Sequence, residues 1–324
     1  MKAAVYTRYG PPDVVQITDV EKPSPKDDEV LIKVRAASVN TLDWRFVRGT
    51  PYFMRIMAGL RKPKITRLGI DVAGQVEAVG GNITHFKPGD EVFGACRGAL
   101  AEYACAAEDK LALKPANISF EEAAAVPVAA ITALLGLRDK GRISPGQKVL
   151  VDGASGGVGT FAVQIAKSFG ADVTAVCSTR KVDTARSIGA DHCIDYTRED
   201  FTQSGQRYDL ILAANAHHSI LDYRRALSPK GIYVFAGGGG VQMLQAILLA
   251  PLLSLLGSKK MCLSMAKIRS KDLVLLKDLL AAGKIVPVID RRYPLSDVAE
   301  AFRYLEEGHA RGKVVITLES NNKT

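Results

Sequence analysis

The run Val149-Leu150-Val151-Asp152-Gly153-Ala154-Ser155-Gly156-Gly157-Val158-Gly159-Thr160 has the make-up of a phosphate cradle. Aliphatic residues enter a glycine-rich turn, and an amphipathic run, Val158 to Phe169, leaves it and stops at Gly170. A helix that starts at such a turn presents unpaired N–H groups and the positive end of its dipole to a pyrophosphate. Gly156 lets the backbone approach the phosphates and Gly159 lets the helix pack close to the strand, while Ser155, Gly157 and Val158 complete the candidate cradle. The pattern reads A-x-G-x-x-G, because Ala154 stands where the fingerprint has its first glycine. Glycine turns alone are common. The strand before this one, the helix after it and the repeated β/α units behind it make a dinucleotide the expected ligand.

The next strand bears on which dinucleotide. About 20 residues on, an NAD site places Asp or Glu against the ribose 2′-hydroxyl. Here Val173 to Cys177 runs into Ser178-Thr179-Arg180-Lys181, with two hydroxyls and two cations at the tip and no acid. These groups suit a 2′-phosphate, with Ser178 as donor and Arg180 and Lys181 supplying charge-assisted bonds, so NADPH is the expected cofactor. The plain alternative is a solvated basic turn that opens the following helix.

The elements around these residues follow from periodicity. Up to about residue 120 the chain reads as short strands with turn punctuation: Val30 to Ala36, Gly74 to Gly80, and Lys87-Pro88-Gly89-Asp90 leading into another strand. That is the texture of a twisted, barrel-like β domain. Ser119 with Glu122 three residues on has capping-box spacing and opens a helical run. Then strands alternate with helices: Lys148 to Val151, Asp172 to Cys177, His192 to Asp195, Asp209 to Ala213, Gly231 to Ala236 and Lys260 to Ser264, with a helix predicted at Lys181 to Ile188. This order implies an α/β fold with a parallel, doubly wound sheet of Rossmann type. The helix Lys271 to Ala282 and the strand Lys313 to Leu318 could extend that sheet or return to the first domain, and the tail Ser320 to Thr324 is expected to fray.

Composition narrows the class. The 324 residues are 47% apolar and 24% charged, globular proportions that exclude wholesale disorder, and the net charge of +9 suits an anionic partner without choosing one. The five cysteines (Cys96, Cys105, Cys177, Cys193 and Cys262) include no C-x-x-C pair, so neither a disulfide framework nor a clustered zinc site is expected. Met1-Lys2-Ala3-Ala4-Val5-Tyr6 has no apolar h-region and no Arg/Ser-rich leader, and a cytoplasmic location is expected. No residue from Gly231 to Ser258 is charged, yet the glycines, glutamines and Pro251 leave too short an apolar core for a span. A buried helix or a greasy wall for a ligand is the expectation there, with peripheral membrane contact left open.

In order and spacing, the chain resembles the medium-chain dehydrogenase/reductase superfamily from about residue 1 to residue 319, and within it the zinc-independent quinone oxidoreductase branch. Ala37-Ser38-Val39-Asn40-Thr41-Leu42-Asp43, Gly69-Ile70-Asp71-Val72-Ala73-Gly74, Phe86-Lys87-Pro88-Gly89-Asp90-Glu91-Val92, the glycine turn and Gly312-Lys313-Val314-Val315 carry the resemblance. It implies a GroES-like β-barrel-type domain, 1–122 plus 266–324, with the Rossmann domain 123–265 inserted. The zinc branch uses Cys, His and Glu ligands, where this chain has Ser38-Val39-Asn40 and Gly69-Ile70-Asp71, so no metal is expected.

Without a Lewis acid, reducing an electron-poor acceptor is easier than deprotonating an alcohol. The resemblance therefore implies hydride transfer from NADPH to a small hydrophobic quinone or α,β-unsaturated carbonyl. It offers Asn40 and Tyr52 as catalytic donors, each with a plainer reading as a turn residue or a packed aromatic, and gives Asp71 a buttressing role. Further cofactor contacts it implies are Asn40, Thr132, Tyr196, Ala213, Asn215, Gly237 and Lys313. An enoyl-thioester reductase is the alternative within the same class. A non-catalytic NADPH-binding protein attached to nucleic acid or membrane is the alternative outside it, although no basic module interleaved with aromatics is present and nucleic acid is not expected. A homodimer is expected from the resemblance. The basic segment with Arg55, Arg61, Lys62, Lys64 and Arg67, together with the aliphatic run Leu244 to Leu256, suggests a cleft with apolar walls and a positive mouth.

Overall fold

The structure, a computed structural model, describes residues 1–52 and 54–318. The tail expected to fray, and Phe53 beside Tyr52, lie outside the described residues. Contacts divide the chain into two compact units. One comprises Met1–Val128, Ile268–Ala282 and the chain from Pro287, and the other Ala129–Lys267 with Gly283–Val286. The sequence placed the inserted domain at 123–265, whereas the contacts cut after Val128 and Lys267. Gln164 explains why 283–286 joins the second unit: its amide accepts from the N–H of Val286 at 2.7 Å and donates to the carbonyl of Val286 at 3.0 Å.

The first unit is built on one long strand, Glu29–Val39, whose alternation buries Val30, Ile32 and Val34. Its sheet runs in the order Ile289–Pro294, Lys313–Thr317, Glu29–Val39, Asp71–Val79, Glu91–Ala95, Leu111–Leu113, with Tyr103–Ala107 also paired to the long strand. Lys2–Val5 and Gln16–Asp19 form a separate antiparallel pair. Register sets the chemistry of this unit. Ser38 lies opposite Asp71 on one side of the long strand, and Val39 lies opposite Val314 on the other. The chain then turns at Asn40 into the helix Thr41–Arg48, which ends at Gly49 in the left-handed region. The capping box read at Ser119 forms, but its helix is only Phe120–Ala124.

The second unit holds six parallel strands in the order His192–Asp195, Asp172–Cys177, Lys148–Asp152, Tyr208–Ala213, Leu227–Phe235, Lys260–Leu263. In chain order that is 3-2-1-4-5-6, the doubly wound arrangement in which ligands gather beyond the carboxyl ends of the strands. The core strands carry Val149, Leu150, Val151, Leu210, Ile211 and Leu212 with no exposed surface. Aliphatic side chains with no polar partner on either face can be buried only when helices cover both faces of the sheet. The helix predicted at Lys181 to Ile188 is shorter than read: a 3-10 turn at Thr179–Lys181 precedes Val182–Ser187. Among the described residues no helix is long and apolar enough to cross a membrane.

Candidate active site

In the second unit the strand Lys148–Asp152 delivers the chain into the glycine turn, and the helix Gly157–Ser168 leaves it. Its two key glycines differ in what they require. A Cβ on Gly159 would stand 2.0 Å from the Gly153 carbonyl oxygen, so close packing of helix on turn demands glycine there. A Cβ on Gly156 would meet only that same oxygen, at 3.6 Å, so the fold itself does not ask for glycine at this position. Gly156 is the N-cap and brings no side-chain acceptor, which leaves the N–H groups of Gly157, Val158 and Gly159 without a partner inside the helix. An open cradle of uncapped N–H groups fits a pyrophosphate. Ser155 is 6% exposed in the same turn.

The turn is braced from beneath. Asp152 is buried at the strand end, where burial raises its pKa, and it accepts a hydrogen bond from Tyr223, itself fully buried and 4.7 Å from the Tyr233 ring. The tight, left-handed position is Gly153, and Ala154 packs inward with no exposure. Ala213 ends the adjacent strand, and Asn215 follows with its amide 3.0 Å from Nε2 of His217. Gly237 donates to the Ala213 carbonyl. Thr132 is buried in the Pro127–Leu134 helix.

At the tip of Asp172–Cys177, Ser178 is half-buried, Arg180 is exposed and Lys181 is half-buried. Sequence reading missed the acid beside them. Asp195 ends the neighbouring strand, and register sets it opposite Cys177. Its carboxylate accepts from Thr179 Oγ1 at 2.5 Å, from Thr197 Oγ1 at 2.7 Å and from the Thr197 N–H at 3.0 Å. The bond from Thr179 is the largest cause of its lowered pKa. The acid is thus ionised but already saturated by hydroxyls, and Tyr196 beside it is 61% exposed.

The first unit holds a buried polar cluster whose residues come from distant parts of the chain. Asp71 has no exposure; its Oδ2 accepts from Ser38 Oγ at 2.7 Å, Asn40 Nδ2 at 3.0 Å and Lys313 Nζ at 3.2 Å, and its Oδ1 accepts from the Val128 N–H at 2.9 Å. Lys313 is 3% exposed, and its ammonium also donates to Asn40 Oδ1 at 2.7 Å and to the Val39 carbonyl at 3.4 Å. Read from sequence as a cofactor contact, Lys313 instead turns its ammonium onto three oxygens of its own chain. Asn40 is consequently gripped at both ends of its amide, and its N–H donates to Asp43 Oδ2 at 2.8 Å. Asp43 is buried, and burial is the main cause of its pKa rising to about 7. Tyr52 lies outside this cluster: it is 72% exposed with the Arg55 guanidinium 4.9 Å from its ring. Arg55 also covers Tyr9 and donates to the Gly49 carbonyl at 2.9 Å, so one cation of the basic segment is committed to its own loop.

Comparison with known proteins places the chain. Residues 26–116 match the alcohol dehydrogenase GroES-like domain family, and residues 188–316 match the zinc-binding dehydrogenase family. The chain is 38% identical to a 2-methylene-furan-3-one reductase of Solanum lycopersicum, covering 98% of this chain and 79% of that protein. It is 37% identical to a chloroplastic NADPH-dependent alkenal/one oxidoreductase of Arabidopsis thaliana, with the same coverage. The solved structure of the quinone oxidoreductase from Coxiella burnetii superposes with a TM-score of 0.87 at 28% identity, covering 98% and 99% of the two chains. The chain belongs to the quinone oxidoreductase branch of the medium-chain dehydrogenase/reductase superfamily. It is an oxidoreductase of the NAD(P)-dependent family, with the superfamily's GroES-like and Rossmann parts.

The second family's description names zinc, and the residues of this superfamily member do not fit that ion. Where the resemblance aligns zinc ligands, the chain sets Asn40 and Asp71 against the ammonium of Lys313, a cation that would repel a second one, and Ser38 donates to Asp71. Burial raises the pKa of the Cys96 and Cys105 thiols, against the thiolate form that binds zinc. Among the described residues no group of three or more His, Cys, Asp and Glu could hold a metal.

Proposed function

We propose that this oxidoreductase uses NADPH to reduce a quinone or the C=C bond of an α,β-unsaturated carbonyl. The observation that carries the reading is the Lys313–Asn40–Asp71 cluster. Oxidising an alcohol needs a group that takes up the hydroxyl proton. Asp71 already accepts four hydrogen bonds, one of them from an ammonium, so both of its oxygens are engaged by donors of this chain. An electron-poor acceptor needs only positioning and a donor to its oxygen. Asn40 can supply that donor, because one hydrogen of its Nδ2 is spent on Asp71 and the other is not. Lys313 and Asp71 hold the amide in one orientation and are positioning residues. The bound cofactor supplies the hydride. The names of the alkenal/one oxidoreductase and furanone reductase relatives support the acceptor class.

For NADPH over NADH, the support is the tip. Arg180 and Ser178 make no side-chain hydrogen bond or ion pair to another described residue, Lys181 adds a second cation, and the Asp195 carboxylate is engaged by Thr179 and Thr197. Steady-state oxidation of NADPH and NADH with quinones, enals, enones and enoyl-CoAs tests the acceptor class. Turnover confined to enoyl-CoAs would replace it with thioester reduction, and cofactor binding without turnover on any acceptor would defeat it. Arg180→Ala should cost roughly tenfold or more in NADPH affinity while leaving NADH affinity unchanged; an unaltered NADPH preference would sink the 2′-phosphate assignment.

A further inference from the structure

The helix Gly240–Leu255 has no polar face. Ala246 and Ala250 are buried, and Met243 and Leu253 pack into the core of their unit. On the opposite side Val241, Leu244, Leu248, Leu252 and Leu255 recur at spacings of three and four, a single stripe, and are 65%, 55%, 57%, 59% and 82% exposed. Large contiguous apolar surfaces on soluble proteins mark interaction sites. The charges that flank this one in sequence bear on its partner, although Arg225 among them is paired with Asp222. From Tyr223 to Lys267 the chain has six cations (Arg224, Arg225, Lys230, Lys259, Lys260 and Lys267) and no acid.

Three of those cations gather at the end of the helix. Arg224 donates to the Leu256 carbonyl, Lys259 Nζ to the Arg224 carbonyl at 2.8 Å, and Lys260 Nζ to the Ser254 carbonyl at 3.2 Å. Partial burial, and after it repulsion from Arg224 and Arg207, lowers the pKa of Lys259. A second copy of the same face would bring no anion to it. A bilayer with acidic headgroups offers both an acyl boundary for the leucines and counter-charge for the lysines and arginines.

We propose that the Gly240–Leu255 helix docks this protein on an anionic membrane surface, lying in the interface plane rather than spanning it. The full-length protein is sedimented with vesicles of phosphatidylcholine alone and of equal parts phosphatidylcholine and phosphatidylglycerol, at low and high salt. It should bind the anionic vesicles, bind neutral ones weakly, and come off several-fold as salt shortens the Debye length. Leu248→Asp with Leu252→Asp should lower binding roughly tenfold or more. Lys259→Gln with Lys260→Gln, at the end of the helix, should lower it on anionic vesicles alone. All four side chains lie outside the dinucleotide cradle and the buried cluster, so NADPH affinity should stay as in the parent. Equal sedimentation with and without anionic vesicles would overturn the proposal, as would full binding by the leucine variant. So would a leucine variant that only breaks a dimer in sedimentation velocity, because the face would then join two copies.

Discussion

Replacing Lys313 with Met tests whether the buried cluster is held together by charge. The side chain keeps its length and apolar stem but loses the ammonium 3.2 Å from Asp71 Oδ2. At an effective dielectric near 20 that contact is worth about 5 kcal/mol of attraction. Ser38, Asn40 and the Val128 N–H remain on the carboxylate and soften the loss. Asn40 Oδ1 also loses its donor at 2.7 Å. Removing one partner of a buried pair commonly costs about 3–5 kcal/mol, and the remaining donors place this one toward the lower end. Urea unfolding at neutral pH should therefore show Lys313→Met less stable by about 3 kcal/mol, with an unchanged m-value. Adding Asp71→Asn removes the orphaned charge and should recover at least half of that, whereas Asp71→Asn alone should be destabilising. kcat should fall in Lys313→Met because Asn40 is no longer oriented, with the KM for NADPH little altered. A loss under about 1 kcal/mol, or no recovery in the double variant, would refute the argument that Lys313 is the cluster's internal counter-ion.

Three further outcomes follow from the geometry. Asp43 has a folded pKa near 7 against 3.8 for the free side chain, so in that window the native state binds the extra proton and stability falls as pH rises from about 4 to about 7. Asp43→Asn keeps an acceptor for the Asn40 N–H and should gain up to about 4 kcal/mol at pH 8 and nothing at pH 3 in denaturant titrations, with a slope of the same sign remaining from Asp152. Gly156→Ala should leave the melting temperature intact yet weaken NADPH binding by calorimetry, whereas Gly159→Ala should cost about 1–3 kcal/mol of stability because its Cβ meets the Gly153 carbonyl. Tyr223→Phe strips buried Asp152 of its phenol donor and should cost about 1–3 kcal/mol in urea unfolding.

The features readable in the sequence were those whose cause is local. The glycine turn, the alternating units behind it and the capping box at Ser119 each span a few residues, and the parallel order 3-2-1-4-5-6 follows from their repetition. The fingerprint was read with Ala154 in place of its first glycine. The left-handed residue is Gly153, so the tight turn is made one position earlier. The buried cluster was not legible, because Lys313 meets Asn40 across 273 residues through strand register alone. Asp195 escaped for the same reason: it reaches the tip of Asp172–Cys177 from the strand beside it. Tyr52 had the right neighbours in sequence, but its ring is claimed by Arg55.

Charge shows what local reading and three-dimensional placement each contribute. The whole chain has 43 cations and 34 acids, an excess that by itself suggests any anionic partner. Two thirds of it lies between Tyr223 and Lys267, leaving 37 cations against 34 acids elsewhere. Of the remaining cations, Lys313 is sealed against Asp71, and Arg48 is bridged to Glu306 at 2.7 Å. Seven further cations stand without an acid between Trp44 and Ile70, so the basic excess is concentrated in two stretches of the chain. The stretch from Tyr223 to Lys267 sets three of its cations at the end of a helix with an exposed leucine stripe, and that pairing is what the vesicle experiment probes.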